Sequence, residues 1–171
     1  QNTLLNLTAY LTITGAAAGA VLQIDRILLR WQAFLLLLVF AALYSRYPNY
    51  AGEARPQRDA GILRGAVILR GTEILRGANL LIGAQALIVG YLIVSTGVGF
   101  SLLILFFILS VSAALYNPLR GTLLWIGAFT IFTAWHLFQA GSWTGVAGGL
   151  AIYTGGYLFF GFTTLALSAE G

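Results

Sequence analysis

Trp31-Gln32-Ala33-Phe34-Leu35-Leu36-Leu37-Leu38-Val39-Phe40-Ala41-Ala42-Leu43-Tyr44-Ser45-Arg46-Tyr47 is the stretch that decides the class of this chain. A helix crosses a bilayer with about 17–25 mostly apolar residues. This stretch reaches that length with a single charge, placed at its end. Its flanks carry the charges that its interior lacks: Asp25, Arg26 and Arg30 before it, and Arg46, Glu53, Arg55, Arg58 and Asp59 at and after its end. A span bounded by charged segments is the unit from which the rest of the sequence is read.

The whole chain repeats that pattern. Of 171 residues, 59% are hydrophobic and 8% charged, with a mean hydropathy of +0.88. Soluble domains carry about 25% charged residues, and nine basic plus five acidic side chains cannot solvate a surface of this size. Lipid-facing surface needs no such groups. The expectation is an all-α, polytopic transmembrane helix bundle of about six helices in a single domain, 1–171. The expected spans are 4–22, 31–47, 79–98, 100–116, 121–138 and 145–168. A loop at about 48–77 holds two of the three prolines and a basic interfacial segment between helices 2 and 3.

Orientation follows from arginine, since every basic residue is Arg. With six spans, Arg46, Arg55, Arg58, Arg64, Arg70, Arg76 and Arg120 share one side with both termini, leaving Arg26 and Arg30 opposite. Cytoplasmic loops are enriched in positive charge. Both termini are therefore expected in the cytoplasm, in a bacterial inner membrane. The pI near 9.8 reflects this topological charge rather than a nucleic-acid surface, so no nucleic acid is expected. The absence of Met and the start at Gln1 point to a trimmed or processed chain, and no signal peptide is discernible.

The hexads Ile62-Leu63-Arg64-Gly65, Ile68-Leu69-Arg70-Gly71 and Ile74-Leu75-Arg76-Gly77 repeat every six residues, and Gly83 continues the glycine spacing. A left-handed β-helix needs several stacked coils of such hexads, and this stretch supplies barely one. On an α-helix six residues turn about 600°, so Arg64, Arg70 and Arg76 point three ways. The expectation is an interfacial helix or hinge entering the third span, its arginines reaching the phosphates of anionic lipids.

Chemistry-bearing residues are few. No cysteine is present, which removes disulfides, thiolate zinc sites and thiol catalysis. His136 is the sole histidine and sits within the fifth span, where an ionisable group is a functional candidate. No carboxylate falls within any span, so a proton relay, a bis-histidine haem and a metal site find no partners there. Three readings of His136 stay open: a neutral hydrogen-bonded bundle residue, a sensing or ligand-binding group, or part of a site shared with another subunit. Gln139, Gln85 and Asn79 are the accompanying polar candidates, suited to interhelical hydrogen bonds or to lining a path. Gly15 with Gly19, and Gly145 with Gly149, form GxxxG pairs, and Gly156 extends the small surface of the last span. Such glycines let helices approach closely, within the chain or in a dimer. Neither catalytic motifs nor paired acidic residues are found, and no enzyme activity, cofactor or metal is expected.

The second half carries Phe106-Phe107-Ile108-Leu109-Ser110, Ala113-Ala114-Leu115, Asn117-Pro118-Leu119-Arg120, Leu124-Trp125-Ile126, Gly155-Gly156-Tyr157-Leu158-Phe159-Phe160 and the ending Leu165-Ala166-Leu167-Ser168-Ala169-Glu170. Over residues 80–170 this resembles the membrane input region of bacterial sensor histidine kinases of the DesK-like, NarL-partnering type. The resemblance implies a helix bundle whose last span leads into a cytoplasmic dimerisation and phosphoacceptor helix. The arginine hexads and the 45–77 loop depart from that pattern. The phosphoacceptor histidine has no counterpart here, because His136 lies inside a span. The resulting expectation is a signal-input module that senses membrane state or a small apolar ligand. An accessory subunit of a respiratory or photosynthetic complex, and a small transporter or channel, are the alternatives. The expected partners are the bilayer and its anionic lipids, together with a second copy or other membrane subunits.

Overall fold

The computed structural model describes the backbone of residues 2–46, 64–141 and 143–169, with side chains over 7–46, 75–99, 101–139, 141 and 145–166. All regular structure in these residues is helical: α1 (Asn2–Gln23), α2 (Ile27–Tyr44), α3 (Arg64–Thr96), α4 (Gly99–Leu103), α5 (Leu105–Tyr116), α6 (Leu119–Ala140) and α7 (Trp143–Ala169). Four described segments are long and apolar enough to cross a membrane: Ile27–Tyr44, Leu75–Thr96, Leu119–Gln139 and Gly145–Ala166. The chain is a multi-pass membrane protein by that measure. The expected first and fourth spans correspond to shorter apolar helices, Leu7–Gln23 and Ser101–Tyr116.

The fourth segment is also broken, where a turn at Ile104 separates α4 from α5 and the Phe107 amide donates to the Ile104 carbonyl at 3.0 Å. This short piece is the hub of the bundle. α5 touches α1, α3, α6 and α7, while α1 pairs with α2 and with α4, and α2 with α3. Leu102, Leu103, Leu105, Phe106, Leu109, Ala113 and Ala114 are all buried. A helix that is apolar all round belongs in a protein core or in a bilayer, and here neighbouring helices cover most of it. Ser110 and Ser112 satisfy their hydroxyls by donating to the carbonyls four residues back, at 2.8 and 3.1 Å.

Two boundaries correct the sequence reading. The hexad stretch from residue 64 to 77, placed by sequence in the 48–77 loop as an interfacial helix or hinge, forms the first turns of α3, a single helix of 33 residues. Each glycine costs about 1 kcal/mol of helix propensity relative to alanine, but the Leu and Arg between them are good helix formers and no proline interrupts. The remainder of the expected loop, 47–63, lies outside the described residues. α2 begins at Ile27 rather than Trp31, which brings Arg30 into its first turns. Its guanidinium folds back to donate from Nε at 3.0 Å and Nη2 at 2.6 Å to the Ile24 carbonyl, just past the end of α1. A cation on the free carbonyls of a helix C-terminus answers both their unmet hydrogen bonds and the helix dipole.

The other turns are built from local chemistry. Asn117 is extended (φ −119°, ψ 150°), as the residue before a proline is pushed to be, and Pro118 then caps α6. Gly97 takes a positive φ of 69° and donates its amide to Ile93 O at 3.1 Å, closing α3 with a left-handed residue that glycine accepts without strain.

Candidate functional site

α3 and α6 run in the same direction on either side of α5, and they touch through side chains. The Trp125 indole N–H donates to Asn79 Oδ1 at 2.8 Å. A Cβ placed on Gly83 would lie 3.5 Å from Trp125 Cη2, and one on Gly90 would lie 3.4 Å from Phe132 Cε2. Trp125 and Phe132 are therefore two rungs, seven residues apart on α6, resting on two glycines seven residues apart on α3. A shared seven-residue step keeps two packed helices in register. Between and beside the rungs a groove of about 620 Å³ opens, walled by Ala86, Leu87, Tyr91 and Val94 on α3 and by Ala128, Phe129 and Trp135 on α6, and floored by Phe106.

The floor belongs to an aromatic cluster that reaches the last helix. Phe106 stacks on Phe129 with centroids 4.7 Å apart and meets Phe132 edge-on at 5.7 Å. It also meets Tyr157 of α7 edge-on at 6.3 Å. Tyr157 is fully buried, and its hydroxyl pairs with Thr133 Oγ1 of α6 at 2.9 Å. Edge-to-face and offset stacked rings at these distances are mutually stabilising beyond their burial.

His136 lies outside the groove, at the end of α6. It packs on the turn between α3 and α4, where a Cβ on Gly99 would overlap the imidazole, with Cδ2 at 2.6 Å and Cε1 at 2.8 Å. Glycine at 99 is what admits the histidine ring. Gln139, one turn on, is exposed. The same end of the bundle holds a polar hollow of about 410 Å³ between the α1–α2 and α3–α4 turns, lined by Gln23, Asp25, Arg26, Ser95 and Thr96 among others. Among the described residues no group of three His, Asp or Glu side chains converges as a metal site would require.

The remaining polar candidates are interhelical ties. Gln85 is fully buried and donates from Nε2 to the Phe40 carbonyl of α2 at 3.0 Å. Asn79 holds Trp125, as above. The glycines divide. Gly156 and Gly149 are seats: a Cβ on Gly156 would overlap the Phe107 ring, and one on Gly149 would lie 3.1 Å from Leu137 Cδ1. A Cβ on Gly19 would lie 3.4 Å from Ser101 Oγ of α4. Among the described residues a Cβ on Gly15 would meet nothing within 4 Å, and Gly145 is exposed. Arg76 is exposed on α3; Arg64 and Arg70 share that helix, with side chains outside the described residues.

Sequence reading did not single out the groove residues. Its signal is present in the equal spacing of Gly83 with Gly90 and of Trp125 with Phe132, but nothing within either helix says that the two pairs meet. Comparison with family models, with curated proteins and with solved structures finds no match. The groove and its aromatic connection to α7 therefore carry the functional reading.

Proposed function

We propose that this chain is a non-catalytic signal-input module of the sensor-kinase type, seated in a bacterial inner membrane with both termini in the cytoplasm. The observation that carries the reading is the path from the groove to the last helix. Phe106 forms the groove floor and touches Tyr157, which Thr133 ties to α6. Groove contents, or bilayer forces that open and close the α3–α6 gap, bias the packing of α7 through these rings. α7 then carries the bias toward the cytoplasm. A ligand shifts such an equilibrium only through different affinity for its two states, and a groove whose floor moves with α7 supplies that difference. Arg64, Arg70 and Arg76 anchor the start of α3 at the phosphates of anionic lipids, so that bilayer thickness sets the tilt of α3.

The gene product downstream of Gly171 is the test. A cytoplasmic helix with a phosphoacceptor histidine and an ATP-binding domain is expected, and autophosphorylation of that whole protein should change when Ala128→Phe fills the groove. A reading frame that stops there, or continues into an unrelated domain, removes the kinase reading. One observation favours an accessory-subunit role instead: α2 exposes Ile27, Leu28, Trp31, Phe34, Leu35 and Leu38, a broad apolar face that another membrane subunit could cover as well as lipid does. Native electrophoresis of a mild detergent extract separates the two, since a subunit migrates with a larger complex.

A further inference from the structure

Among the described residues three buried side-chain atoms have no hydrogen-bond partner: Asn117 Nδ2, Thr130 Oγ1 and Thr154 Oγ1. A polar atom enclosed in this way costs free energy. Asn117 stands on the α5–α6 turn, but the two hydroxyls share one seam, between α6 and α7. Thr130 belongs to the α6 stripe Ile126, Thr130, Thr133 and Leu137, whose other members meet Gly161, Tyr157 and Gly149 of α7 in turn. Thr154 continues the α7 stripe of Gly161 and Tyr157, at the four-then-three spacing of one helix face. A helical hydroxyl has a nearer partner, the carbonyl four residues back. Thr12, Thr14, Thr96, Ser110, Ser112 and Thr164 all take it. Thr130 and Thr154 do not.

The register of the seam says what they are placed for. α6 and α7 run antiparallel, with Ile126 against Gly161. Seven residues on from Ile126 is Thr133, and seven back from Gly161 is Thr154, so these two are level. Thr133 is engaged by Tyr157 instead, and Thr130 stands three residues nearer the α5–α6 turn. Sliding α7 by three residues toward its own C-terminus, about 4.5 Å, brings Thr154 level with Thr130. The same slide carries the Tyr157 hydroxyl from Thr133 to Thr130. Thr130 then serves both newcomers, since a hydroxyl donates once and accepts twice, and Thr133 turns to the carbonyl of its own helix. The described register holds one interhelical bond and two unpartnered hydroxyls, and the displaced one leaves neither unpartnered. Glycine seats hold the described register, with Phe107 against Gly156 and Leu137 against Gly149. Packing favours one position and hydrogen bonding the other, which is the condition for a two-state element.

We propose that α7 has two registers on α6, about 4.5 Å apart, and that the Tyr157 hydroxyl moves between Thr133 and Thr130 as α7 slides. The inference deepens the input-module reading and rests on it for its purpose, the slide being the stroke that α7 passes on.

The chain has no cysteine, so introduced pairs report without background. A disulfide closes where two Cα atoms come within about 7 Å. In nanodiscs, Leu137→Cys with Gly149→Cys traps the described register, and Leu137→Cys with Val146→Cys traps the displaced one, three residues along α7. Both pairs are expected to close under mild oxidation, the second to a smaller extent. Thr133→Val removes the bond of the described register and should raise the yield of the second pair about threefold. Thr130→Val should lower it by about the same factor, which corresponds to a hydrogen bond of about 0.6 kcal/mol between membrane helices. Valine keeps the shape of threonine, so neither substitution opens the seam. Failure of the second pair to close in every background overturns the proposal. A yield that neither valine substitution moves overturns it too, because each hydroxyl would then serve its own helix. A yield that moves as expected while autophosphorylation of the whole gene product stays unchanged sinks the input-module reading and leaves the two registers standing.

Discussion

Gly156 of α7 lies so close to Phe107 of α5 that a single added methyl group would overlap the ring, while its neighbour Gly155 faces open space. Adjacent residues of one type thus have opposite parts in the bundle. Gly156→Ala should force α7 away from the hub and lower the midpoint of thermal unfolding in detergent, at a cost of about 1–3 kcal/mol typical of overpacking. Gly155→Ala should be neutral or slightly stabilising, since alanine favours helix by roughly 1 kcal/mol. Parallel melts of the two variants check the pair, and equal effects would contradict the packing described.

Arg30 provides a second contrast. Arg30→Ala removes two hydrogen bonds from a cation to Ile24 O and should destabilise the α1–α2 turn by about 1.5–3 kcal/mol. Arg30→Lys keeps the charge but not the fork, so it should recover only part of the loss. Protease cleavage near residues 24–26, timed in nanodiscs, reads the turn directly.

The Thr133–Tyr157 pair links α6 to α7 inside the hydrocarbon. A double-mutant cycle of Thr133→Val and Tyr157→Phe should return a coupling near 0.6 kcal/mol and no more than about 1.7, the range for hydrogen bonds between membrane helices. Zero coupling, measured by unfolding in mixed micelles, would show that the two hydroxyls are satisfied separately.

Trp125 reports its own bond. Asn79→Leu takes away the acceptor of its indole N–H and should shift Trp125 emission to the blue, read in a background where Trp31, Trp135 and Trp143 are phenylalanine. Emission that stays fixed would mean that the indole does not depend on Asn79.

Gln85→Leu tests a buried tie. The Phe40 carbonyl loses the Gln85 donor, and the expected cost is about 1 kcal/mol, because leucine fills much of the same volume and leaves no amide unsatisfied. Unfolding midpoints in detergent measure it.

Much of this architecture could be read from runs of apolar residues. Leu35 to Phe40 marked α2 because lipid-facing helices are apolar throughout, and Asn117-Pro118 marked the α5–α6 turn through backbone sterics alone. The hub was harder. Residues 100–116 looked like any other span, since a helix enclosed by protein and a helix bathed in lipid have the same composition. Ile104 carries no breaker, so the turn there comes from packing rather than propensity. The hexads are legible as an interfacial helix or hinge; that it runs unbroken from residue 64 into the third span is not, because a helix averages propensity over many turns. The groove escaped because it depends on two helices forty residues apart in sequence meeting in register, and periodicity within either one does not disclose its partner. Gln85 and Asn79 are legible as polar groups suited either to interhelical hydrogen bonds or to lining a path; which carbonyl or ring each one meets is not.

The enclosed hub bears on how the protein is made. Spans enter the bilayer in order from the N-terminus and assemble afterwards. When α1, α2 and α3 are in place, the surfaces that will hold α4 and α5 are still open to lipid. The fourth segment is short and broken at Ile104, and it packs against α1 and α3, helices already delivered. α6 and α7 then close over it from the other side. Cutting the gene after residue 98 should therefore leave an N-terminal piece that inserts but stays loosely associated, and a C-terminal piece whose first segment depends on meeting its predecessor. Synthesis order is written into which helix sits at the centre.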